Sequence, residues 1–479
     1  MTEPLERLEP GMPIPFGGDR LARVGKELAA AFRSGDRLLV IQDSGELLRI
    51  PGDVWRVASD AVDAAAVALA ALAATTDDQI ARFFELFAGR LGDDALWAGI
   101  AGANAADLAS ARDRGRPTGR LAVSDKMRAD MIAGLLAWRD LPPSRGRTLE
   151  RSARDGFSIE QVSAALGVVG FVFEGRPNVV ADAAGVLRGG NAAVLRIGAD
   201  ALGTARAVFK DAIEPALADA GLPEGALILL DNPEHAAAWA LFSDSRLALA
   251  VARGSGAATT LLGSIARQAG APASLHGTGG AWLIADRSAD GERFANAVSA
   301  SLDRKVCNTL NVCLIERSRA TDLLPRFLGA FASAGGRKLH VAQADIRCLG
   351  AQGPEIEPLA EADLGREWEW DEAPEASLRT VGDLDEAISL FNRFSPRLAA
   401  SLISEDPAAH ERFWRDLEAP FVGDGMTRWV DGQYALGKPE LGLSNWQAGR
   451  LLARSAVLTG GDVFTVRTRM RQSDIGLRR

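Results

Sequence analysis

Cys307 lies in the run Arg304-Lys305-Val306-Cys307-Asn308-Thr309, just before the apolar stretch Asn311–Ile315. A loop cysteine beside two cations is a setting in which a thiol ionises and acts as a nucleophile. The alternative is a packed, inert thiol. Cys313 sits inside the apolar stretch and reads as core; Cys348 has no partner signal and reads as structural. Three cysteines without a CxxC pair or Cys/His ligand spacing argue against a disulfide framework or a zinc site, and no metal is expected. The four histidines, His235, His276, His340 and His410, show no HExxH spacing. His276 belongs to the glycine-rich turn Leu275-His276-Gly277-Thr278-Gly279-Gly280. The loop Arg253-Gly254-Ser255-Gly256 follows an apolar run and opens a helical one, a place where backbone N–H groups can hold phosphate. Glu367 and Glu369 are candidate site carboxylates within the acidic, aromatic patch 367–372; a solvated loop is the other reading.

These residues need elements to hold them. Gly167–Glu174 reads as a strand, Val179–Arg188 as a helix and Ala192–Arg196 as a second strand. Ala201–Ala220 is helical, Ala226–Leu230 and Leu247–Val251 are strands, and a helix follows Gly256. Strands alternating with helices predict a parallel sheet covered on both faces, with ligands at the carboxyl ends of the strands. A second α/β stretch begins near Ala281–Ala285 and takes in strands at Asn311–Ile315 and Ala399–Ile403, with helical spacing over Leu384–Phe394. Upstream, Leu21–Phe32 has helical periodicity. Leu38–Gln42 and Leu47–Ile50 flank a turn as a hairpin, and an alanine-rich helix follows from Val54 to Ala74. From Asp77, the residues Ile80, Phe83, Phe84, Phe87 and Leu91 mark one helix face. Thr148–Val162 reads as another hairpin around Asp155-Gly156, and Asp462–Arg467 as a terminal strand.

Composition narrows the classes. With 479 residues, 47% hydrophobic and 24% charged, the chain is neither disordered nor a small stapled scaffold. A net charge of −9 argues against nucleic-acid binding. The longest uncharged apolar run, 64–74, is too short for a bilayer, which takes roughly 20 residues. Met1–Pro15 has no signal-like apolar core, so a reduced, cytoplasmic protein without membrane association is expected.

Several motifs together carry a resemblance. Arg176-Pro177-Asn178-Val179 after GVVGFVFE resembles the RPNV signature of the glutamate-5-semialdehyde dehydrogenase (gamma-glutamyl phosphate reductase) family, within the aldehyde dehydrogenase superfamily. Gly190–Arg196 resembles its GNAVILR strand, and Cys307-Asn308-Thr309-Leu310 its nucleophile motif. Thr427-Arg428-Trp429 with Asp431-Gly432 and Leu436-Gly437 resembles its substrate loop, and Asn104–Asp107 stands in the right order upstream. The resemblance runs from about Asp77 to the C-terminus.

The resemblance implies an α/β aldehyde-dehydrogenase-like fold. It comprises a Rossmann-type cofactor domain at 76–285, an oligomerisation hairpin at 148–162, a catalytic domain at 286–445 and a C-terminal return at 446–479; the role of 1–75 stays open. It also implies reduction of L-glutamyl 5-phosphate to L-glutamate 5-semialdehyde by NADPH (NAD(H) being possible) in proline biosynthesis, by a homodimer or homotetramer. Cys307 would carry the thioester and Asn178 the oxyanion. Arg196, Arg253, Gly254, Ser255, Gly256, Gly277, Gly279 and Glu369 would meet the cofactor. Arg176, Asn308, Thr309, Thr427, Arg428 and Asp431 would meet the substrate. The stretch Ser274–Gly280 has no carboxylate where hydrolytic relatives carry their water-activating glutamate, which suits a thioester reserved for phosphate. Departures from the family pattern include Ser301–Lys305, Asn311, Asp424-Gly425-Met426, Ala199 and Trp446–Arg450. Two other readings stay open: a paralogue using a different acyl phosphate or aldehyde, and a non-catalytic binding protein of the same fold.

Overall fold

The computed structural model describes residues 3–116, 118–119, 121–349, 353–430, 435, 437, 439–446 and 457–478. The chain divides into two compact units. One holds Met1–Leu275, Lys438–Gly442 and Leu458–Arg479; the other holds His276–Gly437 and Leu443–Val457.

The first unit is built on a five-stranded sheet in the order Ala273–His276, Leu247–Arg253, Val168–Phe173, Ala192–Ile197, Leu227–Leu229. The central pairs are parallel, and Val168–Phe173 and Ala192–Ile197 are buried along their whole length. Such continuous apolar runs, rather than alternating ones, are what a sheet covered on both faces requires. Helix Asp77–Gly92 shows how sequence fixes a covering element. Thr76 and Gln79 form a reciprocal capping box at its start, and Ile80, Phe83, Phe84, Phe87 and Leu91 are each 0% exposed.

Two family-like motifs are joints of this unit. Asn104 is buried; its amide donates to the Leu121 carbonyl at 2.8 Å and to Thr204 Oγ1 at 3.1 Å, and its oxygen accepts from Val123 N. Asp107 accepts from the Thr204 backbone and hydroxyl, both at 2.7 Å, so it ties two helices together. Asn191 accepts from Leu166 N and Gly167 N and donates to the carbonyls of Val186 and Val463. The Gly190 before it takes φ +76°, the left-handed turn that a side chain disfavours.

The N-terminal segment differs from the periodicity reading. Leu21–Phe32 is not one helix: Pro13–Phe16 and Arg20–Arg23 pair as an antiparallel hairpin, and the helix is only Lys26–Ala31. Gly25 breaks the run, and a core of Leu8, Val24 and Phe32 is satisfied by either geometry. The second hairpin forms between Arg37–Val40 and Leu47–Ile50. The long helix spans Gly52–Leu72 and buries Val54, Ala58, Val62, Ala65, Ala68 and Leu72. Strands Thr148–Arg154 and Phe157–Ala165 form the later hairpin, and Phe464–Gln472 adds a third antiparallel strand.

The second unit has a seven-stranded parallel sheet. Its order is Glu355–Leu359, Lys338–Ala342, Glu375–Val381, Leu310–Glu316, Ala281–Ala285, Ala399–Ile403, Phe421–Gly423. Ala281–Ala285 lies between two strands of this sheet, so the change of unit falls before it and not at 285. Among the described residues, no helix is long and apolar enough to cross a membrane.

Candidate active site

In the second unit, Cys307 stands just ahead of the amino end of the buried central strand Leu310–Glu316, half-buried against the apolar cluster of Ala281, Leu398, Ala399 and Phe421. Its loop is held from beneath. Thr309 Oγ1 donates to the Arg304 carbonyl at 2.6 Å and accepts from Val306 N at 2.9 Å. Thr427 Oγ1 donates to the Asn308 carbonyl at 2.7 Å, and Thr427 N donates to Ser301 Oγ at 2.8 Å. The Asn308 amide donates to the Arg428 carbonyl at 2.9 Å, and the Arg428 guanidinium donates to Asn308 Oδ1 and, at 2.6 Å, to Asp303.

The turn 277–280 forms the wall beside the nucleophile. Gly280 N donates to the Cys307 carbonyl at 2.7 Å. A side-chain carbon on Gly279 would stand 2.7 Å from Cys307 Cα and 2.9 Å from Glu367 Oε1, so only glycine fits there. Glu367 Oε2 accepts from Gly279 N at 2.5 Å, and Lys305 Nζ donates to Glu367 Oε1 at 2.5 Å. Cys313, by contrast, is fully buried, and burial pushes its thiol well above the ordinary range.

In the first unit, the chemistry gathers at the carboxyl ends of the strands. Arg196 is buried and donates through Nη2 to the carbonyls of Pro233 and Glu234. Burial lowers the pKa of its guanidinium. Arg253 donates to Glu440 at 2.5 Å, lies 3.7 Å from Asp182 and packs over the Phe173 ring. The Nε–H groups of Arg196 and Arg253 are buried without an acceptor among the described residues. Buried donors left open at the carboxyl ends of a parallel sheet fit the anionic backbone of a dinucleotide. Glu174 accepts from Ser255 N at 2.8 Å, ahead of helix Gly256–Gln268, and its carboxylate comes within 2.6 Å of where a Gly254 side-chain carbon would stand. Asp182 is pushed up to about 7, chiefly by burial and further by Glu440, with Arg253 and Arg176 opposing. Asn178 is half-buried and Arg176 exposed, both in the turn that precedes helix Val179–Ala183.

Residues 160–340 match the Aldehyde dehydrogenase family. The gamma-glutamyl phosphate reductase of Afipia carboxidovorans is 31% identical over 369 residues, covering 74% of this chain and 82% of that protein. The protein of the same name from Roseiflexus castenholzii is 33% identical over 366 residues, covering 74% and 84%. The crystal structure of gamma-glutamyl phosphate reductase from Thermotoga maritima superposes with a TM-score of 0.78 at 23% identity, over 88% of this chain and 100% of that one. The chain belongs to the gamma-glutamyl phosphate reductase family.

Membership makes the protein an oxidoreductase of aldehyde-dehydrogenase fold, as the motifs implied. It also lets the motif residues be sorted by what they touch. Thr309 and Thr427 are 1% and 0% exposed with hydroxyls spent on backbone carbonyls, so they brace the thiol loop and are not available to a substrate. Asn308 and Arg428 are tied to each other and to Asp303 in the same brace. Arg253 is engaged by carboxylates, and the Ser255 amide by Glu174, so neither is an idle phosphate donor. Gly279 serves the nucleophile loop through its lack of a side chain. Gly277 is half-buried in the same turn.

The carboxylate at the thiol loop is Glu367, while Glu369 is exposed. The repeated dipeptide Glu367-Trp368-Glu369-Trp370 could offer either carboxylate to the thiol loop, depending on which tryptophan is buried. The fold buries Trp368, with its ring stacked on His340 at 3.5 Å and its Nε1 donating to Ser377 Oγ. Glu367 was one of the two candidate carboxylates; Lys305 and Asn311 are the site residues to which sequence patterning gave no role of their own. Their one signal was position beside the nucleophile motif. Asp431 lies outside the described residues, as do the loop positions Gly432 and Leu436.

Proposed function

We propose that this protein reduces L-glutamyl 5-phosphate to L-glutamate 5-semialdehyde through a Cys307 thioester, with NADPH as the preferred reductant. The observation that carries this is the braced, half-buried Cys307 in a chain whose named relatives are gamma-glutamyl phosphate reductases. Cys307 Sγ attacks the acyl carbon, and the phosphate departs with its bonding electrons. The Cys307 N–H is assigned to the carbonyl oxygen as charge develops there, and the Asn178 amide is assigned as the second donor on the strength of its motif. A dinucleotide, when bound, would supply the hydride that takes the thioester to the aldehyde level. Cys307 then leaves as thiolate while the aldehyde carbonyl re-forms. The buried, open Nε–H groups of Arg196 and Arg253 support the dinucleotide assignment; Gly254, Ser255 and Gly256 are assigned to its phosphates on their motif alone, the Ser255 amide being held by Glu174.

Proline biosynthesis and a cytoplasmic setting belong to this reading. So does a homodimer or homotetramer. Its support is the three-stranded surface sheet at 148–165 and 464–472, which exposes Leu149, Ile159, Val466 and Met470. The test is phosphate-dependent reduction of NADP or NAD by glutamate 5-semialdehyde. Rates should vanish in Cys307→Ser. Absence of reduction of either dinucleotide, with Cys307 still open to alkylation, would reject the reading.

A further inference from the structure

The stretch before the nucleophile lacks a water-activating glutamate, yet the fold brings a carboxylate to the same wall from a distant loop. Glu367 touches the Gly279 amide, and one glycine position separates its Oε1 from Cys307 Cα. It cannot drift away. The Asn311 side chain clamps its backbone on both sides, donating to the Arg366 carbonyl at 2.8 Å and accepting from Trp368 N at 2.9 Å. Lys305, two residues before the nucleophile, closes on this carboxylate at 2.5 Å, and their side chains are only 6% and 16% exposed. A surface ion pair of this kind would be worth little. A desolvated one holds its members firmly, because separating them strands a buried charge.

We propose that Lys305 sets the fate of the Cys307 thioester: by pairing Glu367 it withholds that carboxylate from water and so reserves the acyl group for phosphate. This rests on the thioester reading above. The withheld step is hydrolysis. Glu367 would take a proton from water, the water oxygen would bond to the acyl carbon, and the C–S bond would break with Cys307 leaving as thiolate. The products are a carboxylic acid and the free enzyme, with no net oxidation or reduction. Lys305 blocks this by neutralising the base. With Lys305 removed, Oε1 of Glu367 loses the cation that occupies it and is open to accept a proton from water. Lys305 is therefore a specificity-determining residue that acts through Glu367, and Asn311 is a positioning residue for the same group.

The test uses p-nitrophenyl acetate, which acylates a nucleophilic thiol without any dinucleotide. The unaltered enzyme should release a burst of one nitrophenolate per Cys307, followed by slow turnover limited by the stable acyl-enzyme. K305M removes one of the two cations beside the thiol, so its burst should be slower but still reach one nitrophenolate per Cys307, while the steady rate should rise by about a hundredfold, within the range a general base supplies. K305M/E367Q should return to the slow rate, and K305R should never leave it. K305Q repeats the measurement if K305M does not fold. A steady rate unchanged in both K305M and K305Q, or one that stays fast in K305M/E367Q, would overturn the proposal. Absence of any burst in the unaltered enzyme would instead overturn the Cys307 reading on which it rests.

Discussion

Replacing Thr427 by valine separates a brace from a substrate contact. The side chain is 0% exposed, and its hydroxyl donates to the Asn308 carbonyl at 2.7 Å, one residue from the nucleophile. Valine keeps the shape and deletes the donor. The Asn308 carbonyl then loses this donor to an apolar group, a buried hydrogen bond broken from one side, which costs about 1–3 kcal/mol. Thr427→Ser keeps the donor and loses a methyl group, at about 1 kcal/mol. Urea denaturation should therefore show Thr427→Val destabilised by more than Thr427→Ser. The loosened loop should slow alkylation of Cys307 and lower kcat, with KM for the acyl substrate changed less than kcat. A Thr427→Val enzyme of unchanged stability and alkylation rate but raised KM would refute the argument and return this hydroxyl to the substrate.

Other consequences follow from the same geometry. Gly279→Ala drives a methyl group to 2.7 Å from the Cys307 backbone, so we expect an overpacking cost of about 1–3 kcal/mol and loss of activity, read by denaturation and turnover. Asp182 is raised to about 7 in the folded state, above its unfolded value of 3.8. The native state therefore holds the extra proton between those values, and stability falls as pH rises through that window. Asp182→Asn should flatten this slope in denaturation series at pH 5 to 8, and an unchanged slope would contradict the assignment. A thiol reagent at neutral pH should label Cys307 and spare Cys313, whose thiol is buried at 0% exposure; peptide mapping would show it.

The parallel sheets were legible because their strands are continuous apolar runs broken by glycine and proline, as at Val168–Phe173 and Ala192–Ile197. The nucleophile was legible from its motif. The braces were not. Thr309 and Thr427 look like substrate ligands in a motif, and only their burial and hydroxyl partners reveal them as supports. Glu367 and Lys305 stand 62 positions apart, and no periodicity links a loop carboxylate to a distant lysine. The choice between Glu367 and Glu369 hung on which tryptophan enters the core. Leu21–Phe32 misled for a related reason: Gly25 interrupts a stretch whose apolar spacing suits a strand followed by a short helix as well as one helix.

In the proposed reaction Cys307 carries the acyl group on its way from phosphate to aldehyde. Intact-mass measurement after mixing the enzyme with glutamate 5-semialdehyde and an oxidised dinucleotide, with phosphate left out, tests it most directly. One equivalent of dinucleotide reduced and one glutamyl adduct per chain are expected, on the peptide containing Cys307 and discharged when phosphate is added. Multiple turnovers without phosphate and without an adduct, or an adduct that persists in Cys307→Ser, would contradict it.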